Sequence, residues 1–537
     1  MLKRLPLLLT LLMMVSLFLP DCAKPQQPAS ATSSAPPTFA DALHLYRTGK
    51  LESAMTEYNS LLAAGSHPAP AYVGVSRVLL KLGRVEDAYA AAAKAVEINP
   101  DFPDAHVALG EVYFRQGKLP EAEKEFVTLV KDQTDNARAY LGMARISEAT
   151  SFHKQAKDLI ENAISLDAGD PDIQFESYMI LGRKAGVKGP QDPVPSQINN
   201  SSPVQTTQSE QVKLDSLYAD SMVRDVPICS VVPSIKSAQF SLHPVTEASA
   251  VVTGFGLNVK IDGVSASLIL DTGAPGILVS RKIAEKANLK KIGETEFSGI
   301  GDKGPVEAYH AIADSVRIGD LEFKNCLVEV SEKSSILGED GLIGADVFEN
   351  SLVDIDFPFS KLKLSELPPY PYDRANHSVQ ESALQPGTQF HNRYVAPEMK
   401  SFTPVYQFER HIFVLTSINN SVPKLFILDT GATHNFISPA AAREFTRVSR
   451  DSDMQIKGLS GKVKDVFSGD SVKLIFGNLN QENVDISAFD TSAISESMGV
   501  EVSGFLGLAV LKMLDIKIDY RDGLVKFTYD SDRFRKP

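Results

Sequence analysis

The sequence has few cysteines and no second long apolar run, and these scarcities exclude several classes of protein. Only three cysteines occur in 537 residues, and their spacing fits no metal-binding motif. After residue 20 no segment is long and apolar enough to span a bilayer. The net charge of −13 argues against nucleic acid as a partner. No Ser-His-Asp grouping, zinc-ligand cluster or phosphate-binding glycine loop is evident, so we expect no cofactor and no metal.

The N-terminal segment has the composition of a targeting signal. Residues 1–22 begin with two basic residues and continue as a nearly unbroken apolar run, which predicts a signal peptide. Cys22 could carry a lipid, although large residues precede it where a lipoprotein signal has small ones, and ordinary cleavage stays open. Residues 23–37 are rich in Pro, Ser, Ala and Gln and predict a disordered tether. We therefore expect an exported protein, periplasmic or extracellular, with membrane attachment only through a lipid at Cys22.

Residues 38–183 carry a repeat with a period of 34 residues. Ala-rich segments with apolar residues at helical spacing alternate with short turns. The pattern resembles tetratricopeptide repeats, helix-turn-helix units that must stack to bury their apolar faces. We expect an all-α solenoid that provides either a concave groove for a peptide or partner protein, or a spacer without a ligand. The repeated positions are Gly49, Gly83, Gly117 and Ser151, each followed five residues later by Ala54, Ala88, Ala122 or Ala156.

Two copies of one short motif dominate the C-terminal half. Leu270-Asp271-Thr272-Gly273-Ala274 and Leu428-Asp429-Thr430-Gly431-Ala432 each follow a short apolar run. Glycine permits the sharp turn that lets a carboxylate project from the end of a buried strand into a cleft. The threonine hydroxyl can lock such a loop by bonding to backbone. Two facing carboxylates cannot both ionise, so they share a proton, and one can act as base on a water while the other acts as acid.

A second pattern follows each motif. Gly341-Leu342-Ile343-Gly344 lies downstream of the first copy, and Gly504-Phe505-Leu506-Gly507 lies downstream of the second. Alternating strands come after both. The same order, Asp loop, hairpins, glycine turn and closing strands, therefore occurs twice in the sequence.

Together these patterns resemble the aspartic peptidases of the retroviral-protease and pepsin type, over about residues 250–365 and 405–530. The resemblance implies two all-β lobes and the hydrolysis of a peptide or protein substrate by a water that Asp271 and Asp429 activate. In the family a hairpin closes over the substrate as a flap, although glycine is common in any hairpin tip. The residues implied to support the active-site loops are Thr272, Gly273, Ala274, Thr430, Gly431, Ala432, Gly344 and Gly507, and the flap candidates are Gly299, Gly301, Gly458 and Gly461.

The remaining segments set the domain boundaries. Residues 184–249 predict a linker and a segment that flanks the first lobe, which spans 250–365, while residues 405–537 form the second lobe. The Pro-rich linker 366–404 is long enough to bring the lobes face to face within one chain, which effective concentration favours. Pairing between two chains stays open, as does a disulfide between Cys229 and Cys326.

Two further hypotheses concern the chemistry. Ala274 and Ala432 stand where pepsin-like enzymes usually carry Ser or Thr. Without those hydroxyls each carboxylate loses a donor that stabilises its ionised form, so we expect a milder working pH than that of pepsin. The alternative to an endopeptidase is a scaffold that binds peptides without cleaving them.

Overall fold

The computed structural model describes residues 38–132, 135–181, 228–246, 251–297, 299–333, 336–369, 395–451 and 454–534. The predicted signal peptide with Cys22, the tether and most of both linkers lie outside the described residues. Among those described, no helix combines the length and apolar character needed to cross a bilayer.

The N-terminal part consists of helices that pack against their neighbours along the chain. They are α1 (Phe39–Arg47), α2 (Leu51–Ala63), α3 (Pro68–Lys81), α4 (Val85–Ile98), α5 (Pro103–Arg115), α6 (Leu119–Lys131), α7 (Ala137–Ala149), α8 (His153–Asp167) and α9 (Pro171–Leu181). The predicted all-α repeat is confirmed.

The 34-residue period has a direct physical basis in these helices. The repeated turn position has left-handed backbone in every copy, with φ of 75° at Gly49, 70° at Gly83 and Gly117, and 66° at Ser151. Glycine adopts this conformation without strain, and three of the four copies use it. The repeated alanine five residues later is fully buried in each copy. Its small side chain lets the crossing helices approach closely, which a larger side chain would prevent.

The C-terminal part is built from strands in two lobes. The strands of lobe 1 are β1 (Cys229–Val231), β2 (Ser237–Thr246), β3 (Val252–Ile261), β4 (Val264–Asp271), β5 (Ile277–Ser280), β6 (Lys290–Phe297), β7 (Val306–Ile318), β8 (Leu321–Ser331), β9 (Gly341–Gly344), β10 (Leu352–Asp356) and β11 (Lys361–Ser365), with helix α10 (Arg281–Lys286).

Lobe 2 repeats this order with shorter elements. Its strands are β12 (Thr403–Pro404), β13 (Tyr406–Phe408), β14 (His411–Ile418), β15 (Lys424–Leu428), β16 (Phe436–Ile437), β17 (Val448–Arg450), β18 (Lys457–Gly458), β19 (Gly461–Lys462), β20 (Val466–Gly469), β21 (Val472–Phe476), β22 (Leu479–Asn483), β23 (Ile486–Phe489), β24 (Gly504–Leu506), β25 (Asp515–Asp519) and β26 (Leu524–Thr528), with helices α11 (Pro439–Arg443), α12 (Ser492–Met498) and α13 (Leu508–Leu511).

The two lobes share one internal topology. In lobe 1 the strand before the Asp loop, β4, pairs antiparallel with β3 and parallel with β9. In lobe 2 the equivalent strand, β15, pairs antiparallel with β14 and parallel with β24. The duplicated motifs in the sequence therefore correspond to duplicated strand arrangements.

A continuous sheet joins the lobes within one chain. Strand β10 of lobe 1 pairs antiparallel with β25 of lobe 2, with Val353 opposite Ile518. Strand β11 extends the sheet to β2, which pairs with β3. Because β2 lies between two strands of lobe 1, that lobe begins before residue 250.

The helical repeats pack directly on lobe 2. The rings of Phe114 and Phe408 meet edge to face, 6.0 Å apart. The backbone N–H of Glu501 donates to the carbonyl of Arg115 at 2.8 Å. Buried side chains of α5 to α9 and of lobe 2 form one continuous apolar cluster. The repeats and lobe 2 therefore bury apolar surface against each other.

Carboxylates at the seam between the lobes predict a stability that depends on pH. Asp356 and Asp515 lie directly opposite each other across β10 and β25, and both are buried. Burial, and then the charge of Asp354, raises the pKa of Asp515 to about 6. A folded-state pKa above the unfolded value stabilises the fold below pH of about 4, and this contribution is lost as pH rises through about 6.

We expect ionisation of Asp515 to lower the free energy of unfolding by about 1–3 kcal/mol between pH 4.5 and pH 7.5. Asp515→Asn is uncharged at both pH values and should flatten that slope. Urea unfolding of the wild type and the variant at several pH values measures it, and parallel slopes in the two proteins would contradict this assignment.

A disulfide ties the segment before lobe 1 to its sheet. Cys229 lies opposite Cys326 on the paired strands β1 and β8, with a Cα–Cα distance of 3.9 Å. The bond joins residues separated by 97 positions. Closing a loop of that length restricts the unfolded chain, so its removal should cost about 2–5 kcal/mol. We expect a thiol reductant to lower the thermal midpoint of the wild type and leave that of Cys229→Ser/Cys326→Ser unchanged; equal responses would exclude this contribution.

Candidate active site

The two Asp loops lie next to each other between the lobes. Asp271 is the last residue of β4, and Asp429 directly follows β15. Both carboxylates are buried, with 6% and 8% of the residue exposed. Because β4 and β15 are central strands with a neighbour on each side, the positions of the two residues are fixed by the sheets.

The threonines lock the loops to each other in a reciprocal pattern. Thr272 Oγ1 donates to the Leu428 carbonyl at 2.7 Å, and Thr430 Oγ1 donates to the Leu270 carbonyl at 2.9 Å. Each backbone N–H of these threonines also donates to the hydroxyl of the other, at 3.0 and 3.1 Å. The two loops therefore pair within a single chain, as the linker length predicted.

The motif glycines leave room for the carboxylate of the opposite loop. A Cβ atom on Gly273 would lie 2.5 Å from Asp429 Cγ, and one on Gly431 would overlap the Asp271 carboxylate. The N–H of Gly431 donates to Oδ1 of both aspartates, at 3.1 Å for Asp271 and 2.9 Å for Asp429. The N–H of Gly273 donates to Asp271 Oδ1 at 2.8 Å. The loops thus bring the acids together and supply backbone donors to them.

The environment keeps a proton on the pair. Burial raises the pKa of Asp429 well above its usual range, and the negative charge of Asp271 raises it further. Burial also raises the pKa of Asp271, although backbone N–H donors and a hydrogen bond from Asp429 oppose the rise. The two acids therefore share a proton, and their titration belongs to the pair rather than to either residue.

The alanines that follow the motifs have no side-chain donor. The N–H of Ala432 donates to Asp429 Oδ1 at 2.8 Å. Ala274 packs against an apolar cluster of lobe 1 that includes Ile269 and Leu278. Neither residue has a hydroxyl with which to stabilise an ionised carboxylate, which agrees with the raised pKa values of the pair.

The glycine turns pass directly beneath the Asp loops. A Cβ atom on Gly344 would lie 2.5 Å from the Ala274 carbonyl, and one on Gly507 would overlap the His434 carbonyl. Gly507 donates its N–H to the Asn435 side-chain oxygen at 2.9 Å. These turns support the loops from below, at the distance that only glycine allows.

The four candidate flap glycines come together at a contact between the lobes. The N–H of Gly299 donates to Ser460 Oγ at 3.0 Å, and the N–H of Ser460 donates to the Ile300 carbonyl at 3.1 Å. Cβ atoms at Gly301 and Gly458 would overlap the backbone of the opposite segment. A Cβ atom at Gly461 would lie 2.9 Å from the Lys303 side chain. Each lobe therefore contributes one candidate flap segment, and the two segments interlock.

Sequence reasoning assigned no role to Asp346, Arg410 and Asn435. Asp346 accepts from the backbone of the first loop, and Arg410 contacts Asp346 from lobe 2. In lobe 2 the Asn435 side-chain oxygen accepts from the N–H of Gly507, as the Gly276 carbonyl accepts from the N–H of Gly344 in lobe 1. The one available signal was the departure from symmetry, since the second glycine turn has Ala509 where the first has Asp346.

The helical repeats contain a buried charge network of their own. Arg138 donates from Nε to Asp170 at 2.7 Å, from Nη2 to Asp172 at 2.8 Å and from Nη1 to Glu111 at 2.8 Å. Tyr46 of α1 also donates to Asp172 at 3.0 Å. The residues of this network lie on the odd-numbered helices, except Asp170, which directly precedes α9. The layer that the odd-numbered helices form is therefore filled by contacts within the chain.

Known family models match both the helical part and the β-rich part of the chain. The family model described as aspartyl protease matches residues 257–347 and 414–510. Two tetratricopeptide-repeat models match residues 39–103 and 79–146. The chain joins tetratricopeptide repeats to an aspartyl protease-like region. The predicted fold class is confirmed: a helical repeat domain is followed by two β lobes.

Two solved structures are similar to part of this chain. The aspartic proteinase from Irpex lacteus shares 12% identity and a TM-score of 0.34, over 56% of this chain and 99% of that one. A retropepsin-like aspartic protease from Rickettsia conorii shares 21% identity and a TM-score of 0.19, over 25% and 96%.

The curated relatives match over a shorter part of their length. DnaJ homolog subfamily C member 3 of Bos taurus is 25% identical over 122 residues, 22% of this chain and 24% of that protein. Protein O-mannosyl-transferase TMTC1 of Homo sapiens is 25% identical over 140 residues, 26% of this chain and 16% of that protein. The chain thus spans about a quarter or less of the length of these relatives.

Proposed function

We propose that the protein is an exported aspartic endopeptidase in which Asp271 and Asp429 activate a water molecule for peptide-bond hydrolysis. The observation that carries this proposal is the pair of buried carboxylates held face to face by the reciprocal threonine lock. Two buried carboxylates without a nearby cation seldom serve a structural role. Their mutual repulsion is costly unless they share a proton.

The proposed reaction uses the single proton that the two acids share. Ionised Asp271 takes a proton from the water while the water oxygen bonds to the carbonyl carbon of the substrate. Protonated Asp429 gives its proton to the carbonyl oxygen, which forms a tetrahedral diol. Asp271 returns the proton that it took from water to the amide nitrogen, while Asp429 takes a proton from one hydroxyl of the diol, so that the C–N bond breaks and a carboxylic acid and an amine leave. The dyad then holds one proton again.

The interlocked flap segments are the proposed cover of the cleft. Their contacts consist largely of backbone hydrogen bonds between Ile300, Ser460 and their neighbours. These bonds can open to admit a peptide and re-form over it, which would exclude water from the reaction. Both lobes contribute, so we propose that the substrate is enclosed from both sides.

A pH–rate profile on a peptide library tests this function. Because the pKa of each acid is raised, we expect an optimum at mildly acidic to neutral pH. Activity should fall in acid as Asp271 is protonated and fall in base as Asp429 loses its proton. A statine-type inhibitor, which imitates the tetrahedral diol, should abolish cleavage. An optimum confined to strongly acidic pH would refute the effect of the missing hydroxyls, and no cleavage at any pH would leave a peptide-binding scaffold.

We also propose an oxidising location and a protein partner. The Cys229–Cys326 disulfide supports a periplasmic or extracellular site of action. The repeats are proposed to bind substrate or a partner protein on surfaces other than the layer filled by the Arg138 network. Attachment through a lipid at Cys22 is a proposal that mass spectrometry of the N terminus would test.

A further inference from the structure

A two-residue hairpin turn of lobe 2 reaches lobe 1 close to its Asp loop. Strands β13 and β14 are joined by Glu409 and Arg410 alone, since Phe408 pairs with His411. Both turn residues have left-handed backbone, with φ of 47° and 68°. Hairpin turns of this kind usually carry Asn and Gly, because other residues are strained there. Such strain persists where surrounding contacts hold the turn in place.

The contacts that hold Arg410 come from lobe 1. Its Nη1 atom lies 2.9 Å from Glu349 Oε2 and 3.7 Å from Asp346 Oδ2. The Asp346 side chain is 3% exposed and that of Arg410 is 17% exposed. A carboxylate buried to this degree needs a cation or several donors nearby. Arg410 supplies the cation from the other lobe.

Asp346 in turn holds the end of the first Asp loop. Its Oδ1 and Oδ2 atoms accept from the N–H of Gly276, at 3.0 and 3.3 Å. Gly276 lies five residues after Asp271, and its carbonyl accepts from the N–H of Gly344 at 2.7 Å. A continuous series of contacts therefore leads from Arg410 through Asp346 to the loop that carries Asp271.

Tyr520 of lobe 2 belongs to the same cluster. It is buried, and burial raises the pKa of Tyr520 well above its usual range, with the charges of Asp346, Glu349 and Asp271 adding to the rise. In the glycine turn of lobe 2, Ala509 stands at the position that Asp346 occupies in lobe 1.

We propose that Asp346 and Arg410 are positioning residues of the dyad: they tie the Asp271 loop to lobe 2 and so fix Asp271 relative to Asp429. This inference rests on the proposed endopeptidase function. It explains what holds the Glu409–Arg410 turn in its strained left-handed conformation and what compensates the buried Asp346 carboxylate beside the loop of lobe 1.

Steady-state kinetics of Arg410→Met, Asp346→Asn and Arg410→Lys test the proposal. Arg410→Met should lower kcat by about 10- to 100-fold, because small displacements of reacting groups are costly. KM should stay within about twofold, since the peptide contacts are unchanged. Asp346→Asn keeps an acceptor for Gly276 but loses the charge, so it should match Arg410→Met. The double variant should be no worse than either, and Arg410→Lys should recover part of kcat.

Lys424→Met is the matched control. It removes an ion pair of lobe 2, with Glu444 at 2.9 Å, that is not part of the cluster around the dyad. It should leave kcat and KM unchanged. Additive losses in the double variant, an unchanged kcat, or losses in kcat that simply follow a lowered thermal midpoint would overturn the positioning role.

A separate readout distinguishes this proposal from the function on which it rests. If the wild type cleaves no peptide at any pH, the endopeptidase assignment fails. The titration of Asp271 and Asp429, followed by NMR of protein labelled with ¹³C-aspartate, still reports their mutual position. A shift of that titration in Arg410→Met but not in Lys424→Met supports positioning, and identical titrations in all three proteins overturn it.

Discussion

Asp429→Asn should reduce peptide cleavage by about 10⁴-fold or more, and Asp271→Asn should do the same. Each substitution leaves the size of the side chain nearly unchanged but removes one half of the proton-transfer machinery. Without Asp271 no base takes the proton of water, and without Asp429 no acid protonates the carbonyl. Since the two residues act as a unit, the double variant should be hardly worse than either single one.

The fold should survive both substitutions. Two buried acids that share a proton resist full ionisation, so replacing one by an amide relieves repulsion at neutral pH. We expect thermal midpoints equal to or above that of the wild type. Asp470→Asn, at an exposed position of lobe 2, is the control and should keep full activity. Cleavage that persists in either dyad variant, with the control unaffected, would remove Asp271 and Asp429 from the mechanism.

Arg138→Met should destabilise the helical repeats by about 3–5 kcal/mol. The guanidinium is buried and donates to Asp170, Asp172 and Glu111. Although burial alone would raise it, the charges of Arg138, Lys81 and Arg145 hold the pKa of Asp172 well below its usual range. Removal of Arg138 leaves carboxylates buried without their main cation, which is the costly way to break a buried ion pair.

The control for this prediction is Lys94→Met, which breaks an exposed pair with Glu97 on α4. Exposed pairs of this kind contribute about 0–1 kcal/mol. Chemical denaturation followed by circular dichroism, which reports the loss of helix, gives both values. A depressed pKa at Asp172 stabilises the fold above pH of about 4, so the difference between wild type and Arg138→Met should shrink in acid. Equal midpoints for the two variants would show that the network contributes little to stability.

Features encoded by neighbouring residues could be predicted from the sequence. The turn glycines at 49, 83 and 117 are such a case, because glycine adopts left-handed backbone more readily than other residues do. The Asp-Thr-Gly loops are another, since strand, acid, hydroxyl and turn lie within five residues. The fold class and the candidate dyad followed from these local patterns and their repetition.

Other features depend on residues far apart in the chain, and sequence reasoning did not find them. Asp346 accepts from Gly276, 70 residues away, and the candidate flap segments of the two lobes meet across 161 residues, between Gly299 and Ser460. No local preference specifies such pairs.

The sequence by itself determined the helical repeat, the two lobes and the two acids. Only the tertiary structure decided that the acids face each other within one chain, that Cys229 bonds to Cys326, and that Arg410 reaches lobe 1. The physical reason is that turns and periodic faces follow from the conformational preferences of adjacent residues, whereas contacts between the lobes exist only once both sheets are packed together.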